Sequence, residues 1–242
     1  SYQKAIEIDP NYAKAHYNLA NAHHELNQHN ESVKSYQKSL EIDSDYAEAH
    51  NNLGNVLKDL GQYNEAISCY QNATTLQPSY VQAHFSLGVV LFDLGEFDNA
   101  INSYEKAIEI NPNFEELHNK LGNVYREKGQ LDLAIKAYQK ALDINSNYSE
   151  VHNNLGNVLR DLGRFDESVH SYKKAIEINP GYPALHNNLG NVFKDLGQLD
   201  EALNSYLRGL THNPDYIDLL NNLGVVFNEL GQQDEAVKSF NR

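Results

Sequence analysis

Apolar residues return along this chain at two spacings, one local and one long. Between 47 and 61, Ala49, Leu53, Val56 and Leu60 stand four, three and four apart, the stripe of an α-helix, and Gly61 follows. Glycine enters the left-handed conformation that ends a helix without strain. The long spacing is 34 residues: Leu-Gly, once Leu-Ala, recurs at Leu19, Leu53, Leu87, Leu121, Leu155, Leu189 and Leu223 with no insertion. Counting Ala13 as position 1 gives full repeats 13–46, 47–80, 81–114, 115–148, 149–182 and 183–216, with partial copies at 1–12 and 217–242. Each full repeat predicts two helices. The first carries its stripe at positions 3, 7, 10 and 14 and stops at Gly61, Gly95, Gly129, Gly163, Gly197 or Gly231, with Asn27 in the first copy. The second has small residues at positions 20 and 27, such as Ala66 and Ala73, which let backbones approach. It stops where Pro10, Pro78, Pro112, Pro180 and Pro214 lack a donor. The expectation is one array over 1–242 that starts and stops inside a second helix, as a piece of a longer array would.

These residues resemble the tetratricopeptide repeat (TPR) family over essentially the whole chain: Leu-Gly at positions 7–8, Ala at 20, Tyr at 24, Ala at 27 and Pro at 32. The departure is position 4, often Trp in that family and here His16, His50, His84, His118, His152 and His186. The resemblance implies an all-α fold, an α-solenoid of helix-turn-helix repeats stacked into a right-handed superhelix whose first helices line a concave groove. It also implies binding of peptides or proteins, with no catalysis by the array itself.

Bulk properties narrow the partner. The chain has 242 residues and a formal charge of −14, which argues against nucleic acid, since a phosphate binder needs a cationic face. No apolar run approaches the roughly 18 residues of a membrane span. No signal segment opens the chain, and its single cysteine builds no disulfide framework, so the reducing cytoplasm is the default expectation.

Enzyme and metal chemistry find little footing. Cys69 stands at position 23, where other copies have Ser35, Ser103, Ala137, Ser171, Ser205 and Ser239, a packing slot rather than a nucleophile's. The position-4 histidines fall one per repeat, on helices roughly 10 Å apart, too far to share an ion. His23, His24 and His29 match no known metal spacing. No cofactor and no metal site are expected.

What architecture leaves unexplained is asparagine. Position 6 reads Asn18, Asn52, Ser86, Lys120, Asn154, Asn188 and Asn222; position 9 reads Asn21, Asn55, Val89, Asn123, Asn157, Asn191 and Val225. Asparagine inside a helix costs several tenths of a kcal/mol against Glu, Lys or Gln, so these slots ask for a reason. A primary amide both donates and accepts, and two rows three residues apart form a ladder able to hold a peptide backbone. The competing explanation is an inherited polar surface. Position 13 is acidic throughout, from Glu25 and Asp59 to Glu229, beside a partly cationic row of Lys58, Arg126, Arg160 and Lys194 at position 12. The third repeat breaks the ladder with Phe85, Val89 and Phe92, and Lys120 follows next door with Arg126 on its helix. That group predicts an anchor for an apolar side chain beside an acidic group, against the alternative of phenylalanines buried between neighbours.

Two resemblances refine the expectation. The clamp of chaperone-tail receptors needs Lys and Arg at positions 2, 5 and 6, and it is not assembled here. The ladder of Asn18, Asn52, Asn154, Asn188 and Asn222 is similar to the array preceding the catalytic region of O-linked N-acetylglucosamine transferases, which implies substrate recognition for a larger enzyme. The competing class is structural, with end-to-end self-association through uncapped end faces.

Overall fold

The computed structural model describes residues 2–241, and among them every regular element is an α-helix. The first helices are α2 (Ala13–Glu25), α4 (Ala47–Asp59), α6 (Val81–Asp93), α8 (Glu115–Glu127), α10 (Ser149–Asp161), α12 (Pro183–Asp195) and α14 (Ile217–Glu229). Their partners are α3 (His29–Ile42), α5 (Tyr63–Leu76), α7 (Phe97–Ile110), α9 (Leu131–Ile144), α11 (Phe165–Ile178), α13 (Leu199–His212) and α15 (Gln233–Phe240), after α1 (Tyr2–Ile8). The helices form two compact units, Ser1–Val124 and Tyr125–Arg242. Inside each, a first helix packs on its own second helix, and that second helix packs on the next first helix, the connectivity of an α-solenoid.

The turn inside each repeat follows the glycine. Gly61 has φ 74°, the Gln62 N–H donates to Leu57 O at 2.8 Å, and the Gly61 N–H donates to Lys58 O at 2.9 Å. This pair of bonds satisfies the last carbonyls of α4. Asn27 takes the same conformation at φ 58°.

The turn between repeats does not depend on proline. Ser44 and Ser146 replace it, yet α3 and α9 end at the same position as the other second helices. Position 31 makes the stop: Asp43 Oδ1 accepts from the Asp45 N–H at 3.2 Å, and Asn145 Oδ1 from the Asn147 N–H at 3.1 Å. The position-4 histidine then closes the turn. Nε2 of His50 lies 3.0 Å from Ser44 O and that of His84 3.0 Å from Pro78 O, so the imidazole must carry its proton on Nε2.

The core is narrower than the four-position stripe. Position 3 (Ala49, Leu117, Val151) and position 10 (Val56, Val90, Val158) are fully buried, and position 7 nearly so. Position 14 lies at the helix cap, where Leu60 and Leu94 remain about 40% exposed (39% and 42%). Position 11 is buried instead at Leu57, Leu91 and Leu159. The largest buried side chains are the tyrosines of position 24: Tyr36, Tyr70, Tyr104, Tyr138, Tyr172 and Tyr206.

Those rings explain the Leu-Gly signature. A Cβ on Gly54 would stand 2.6 Å from Tyr70 Cε1, and one on Gly156 would stand 2.8 Å from Tyr172 Cε1. The first repeat has Ala20 over Tyr36, so one methyl can be absorbed. Gly54→Val is therefore expected to destabilise by about 1–3 kcal/mol through overpacking, and Gly54→Ala by less; guanidinium unfolding followed by helicity checks the order.

Burial holds the phenols of Tyr70, Tyr104 and Tyr172 above their ordinary 10.0, with nearby carboxylates such as Asp59 and Asp93 adding to the rise at Tyr70 and Tyr104. The unfolded chain then releases phenolic protons first. Stability is whole below pH 10 and lost as pH rises beyond it. In an alkaline titration, exposed tyrosines should ionise early and the core set only together with loss of helicity.

Candidate peptide-binding face

Position 9 is where the buried tyrosine meets the polar face. The Tyr70 hydroxyl donates to Asn55 Oδ1 at 2.8 Å, Tyr172 to Asn157 at 2.6 Å and Tyr206 to Asn191 at 2.8 Å; Tyr36 makes the same bond to Asn21. These asparagines thus satisfy hydroxyls that would otherwise be buried unpaired, at a cost of about 1–3 kcal/mol each. The bond also fixes the amide: Oδ1 faces the tyrosine, so Nδ2 becomes the free-facing donor of the group.

Position 6 ties neighbouring repeats together. Asn188 Nδ2 donates to Asn153 Oδ1 at 2.9 Å, and Asn222 Nδ2 to Asn187 Oδ1 at 2.8 Å. Each bond joins position 5 of one repeat to position 6 of the next, 35 residues on. In the first unit, Asn52 Nδ2 reaches the Tyr17 hydroxyl at 3.0 Å and Asn21 Oδ1 at 3.2 Å. The sequence reading gave these amides to a partner. The fold supplies an intramolecular use for one half of Asn188 and Asn222, and for both halves of Asn52, whose Oδ1 also accepts from Asn51 Nδ2 at 3.1 Å.

The ladder has a gap at Ser86. A serine is too short to reach position 5 of the preceding repeat, and Asn51 Oδ1 is left buried with no hydrogen-bond partner. Around this gap lies a cavity of about 410 Å³, lined by Asn55, Tyr70, Phe85, Ser86, Val89 and Lys120, with Lys58, Asp59, Gln82, Glu116 and His24 completing its wall. Four residues singled out from the sequence, Asn55, Phe85, Val89 and Lys120, thus meet at one cavity. Phe92 does not join them. Its ring packs against Phe97 of α7 with centroids 5.8 Å apart.

Phe85 serves two purposes. One part of the ring completes an internal cluster, stacked on Phe114 at 5.7 Å and tilted to Tyr104 at 6.2 Å, as Tyr17 packs on Tyr46 and Tyr36 in the first repeat. The ring is half-buried, and its remaining surface lines the cavity. The first role is the burial between neighbours that the sequence offers as the alternative to an anchor, though it does not name the partner, Phe114, which stands 29 residues away at position 34.

The other candidates lie apart from the cavity. Asn18 is half-buried on α2, and Asn123 of α8 and Asn154 of α10 each have an interaction partner. Arg126 belongs to the second unit, where Nη2 donates to Glu127 Oε1 at 2.8 Å. Two pairs from the charge rows of positions 12 and 13 bridge neighbouring repeats: Arg160 Nε donates to Asp195 Oδ2 at 2.6 Å, and His24 Nε2 meets Asp59 Oδ2 at 3.0 Å. Cys69 is half-buried, and burial, with Glu65 nearby, pushes its thiol up to about 11, so it stays protonated near neutral pH.

The gap can be repaired or extended. Ser86→Asn supplies the missing donor for Asn51 Oδ1 and should stabilise the chain by about 0.5–1.5 kcal/mol, whereas Asn188→Ala leaves Asn153 unpaired and should cost about 1–2 kcal/mol. Unfolding midpoints in guanidinium, compared at equal slope, test both directions.

The TPR repeat family matches residues 1–27, 20–61, 54–95, 88–126, 122–159, 156–197 and 190–231. No curated protein sequence matches the chain significantly. Among solved structures, the chain is similar to YrrB, described as a TPR protein with an unusual peptide-binding site: 24% identity, TM-score 0.65, covering 78% of this chain and 97% of that one. It is also similar to MamA, at 27% identity and TM-score 0.65 over 69% of this chain and 92% of that one. A third is the APC/C hetero-tetramer Cut9–Hcn1, at 19% identity and TM-score 0.69, covering 93% of this chain and 44% of that one. No helix among the described residues is long and apolar enough to cross a membrane. With seven matched segments spanning 1–231 and paired helices in the expected order, the chain belongs to the tetratricopeptide repeat family.

Proposed function

We propose that this chain is a noncatalytic scaffold that holds an extended protein segment against its first helices, with one side-chain anchor at the Phe85 cavity. The observation that carries this reading is the cavity at the ladder gap, where apolar Phe85 and Val89 and the ammonium of Lys120 stand beside the oriented amide of Asn55. An apolar side chain followed by a carboxylate suits that combination.

Within each unit the amide rows suit a peptide backbone. At Asn55, Asn157 and Asn191 the tyrosine bond leaves Nδ2 as donor, while at Asn188 and Asn222 the inter-repeat bond leaves Oδ1 as acceptor. A peptide unit offers one C=O and one N–H, so a face with both groups serves any sequence. The likeness to YrrB and Cut9–Hcn1 lends fold-level support, since one is described by its peptide-binding site and the other is a complex. A net charge of −14 speaks against nucleic acid as the partner.

The test must spare the structural amides. Replacing Asn52 or Asn188 would cut bonds between repeats and confound binding with folding. Val89→Asn with Lys120→Asn instead writes in the residue that the same slots carry at Asn55 and Asn188. On a peptide array, at equal helicity, the unaltered chain should capture extended peptides pairing an apolar residue with Asp or Glu, and the variant should lose at least about tenfold in affinity, or 1.4 kcal/mol. Equal capture by both chains, or capture by neither, overturns the reading. In the latter case concentration-dependent sedimentation would put self-association in its place.

A further inference from the structure

Two departures from the repeat pattern meet in the first repeat. Position 12 is His24, where α4, α8, α10 and α12 carry Lys58, Arg126, Arg160 and Lys194. Position 17 is His29, where α5, α7, α9, α11 and α13 begin with Tyr63, Phe97, Leu131, Phe165 and Leu199. The two slots face each other across the turn. In the third repeat the pair is Phe92 and Phe97, centroids 5.8 Å apart; here it is two imidazoles at 5.6 Å.

A third group comes from the next repeat. Asp59, at the end of α4, places Oδ2 at 3.0 Å from His24 Nε2. One ring nitrogen of each histidine and a carboxylate oxygen of Asp59 all lie within 4.8 Å of one another. A tetrahedral ion with bonds of about 2.1 Å holds its ligand atoms roughly 3.4 Å apart. His24 and Asp59 are near that spacing already, and closing on His29 takes an adjustment of about an ångström by half-exposed side chains.

Pairing with Asp59 explains His24 by itself, since Arg160 and Asp195 make the same bridge. It does not explain His29. Its Nδ1 is buried with no hydrogen-bond partner, in a slot that is apolar in the next five copies. An imidazole buried this way is costly unless something uses its nitrogens.

We propose that His24, His29 and Asp59 form a site for a divalent transition ion of the zinc class, with one coordination position left open. Two imidazoles and a carboxylate are ligands that Zn²⁺ accepts. His24 and Asp59 stand in the last turns of α2 and α4, where the helix dipole favours a cation; the opposing N-terminus of α3 is a single one. The nearest competitor is Lys58, whose Nζ is 3.9 Å from Asp59 Oδ1 and partly exposed, so it can move into solvent. His23 stands aside, with Nδ1 2.6 Å from Gln28 Oε1. Because α2, α3 and α4 each give one ligand, the ion would join the first repeat to the second.

Zn²⁺ titration of the full untagged chain by calorimetry tests this, with Co²⁺ absorption reporting four-coordinate geometry. Two variants restore the ordinary residues of their slots and so should fold: His29→Leu, as at Leu131, and His24→Lys, as at Lys58. The unaltered chain should bind one equivalent and melt at a higher temperature with Zn²⁺, while each variant should bind at least about tenfold more weakly and show no such rise. His23→Ala should behave like the unaltered chain. Absence of a one-equivalent site, or equal binding by His29→Leu, overturns the proposal and assigns any uptake to the other histidines.

Discussion

Everything in this fold is arranged around the contact between a buried tyrosine ring and a glycine backbone. The ring at position 24 packs against the space a Cβ on the facing glycine would take, so the two helices approach closely enough that nothing larger than the methyl of Ala20 stands at that slot. That approach sets the hydroxyl's reach. The oxygen emerges at the far side of the first helix, where the next residue, an asparagine, accepts its proton. Glycine at 8, asparagine at 9 and tyrosine at 24 are therefore one device, with the apolar end settled by shape and the polar end by a hydrogen bond.

The asparagines show how architecture and recognition share a residue. An amide has two ends, and the fold consumes the oxygen at Asn55, Asn157 and Asn191 of position 9 and the nitrogen at Asn188 and Asn222 of position 6. A side chain with one end fastened loses little further freedom on meeting a partner, since the ordering entropy was met during folding. Glu, Lys or Gln at these slots would be better helix formers, but longer and more mobile.

The 34-residue period, the helix pairs and the glycine caps were legible because each rests on local pattern: stripe spacing, turn chemistry and repetition. What depends on reach is less legible. Leu60 fits the core spacing yet sits on the cap. Proline marks the stop in most copies, yet Asp43 and Asn145 make it unaided. The tyrosine partners of Asn55 and Asn157 lie 15 residues on, and the amide partner of Asn188 lies 35 residues back, separations at which sequence carries no direct sign of contact. The gap at Ser86 was visible as a broken pattern, while the orphaned oxygen of Asn51 needed coordinates.

The gap has a thermal side as well. A repeat array behaves as a line of coupled units, each step held by its own helices and by the interface to its neighbour. Where Asn51 finds no donor, the step between the second and third repeats of the first unit lacks the amide bond made at Asn153–Asn188, and its coupling should be weaker than that step's. Cooperative unfolding should run up to that joint and pause, and amide hydrogens beside it should exchange before those of α10 and α12. If that joint opens first, a ligand seated in its cavity would act as a rivet between the segments on either side.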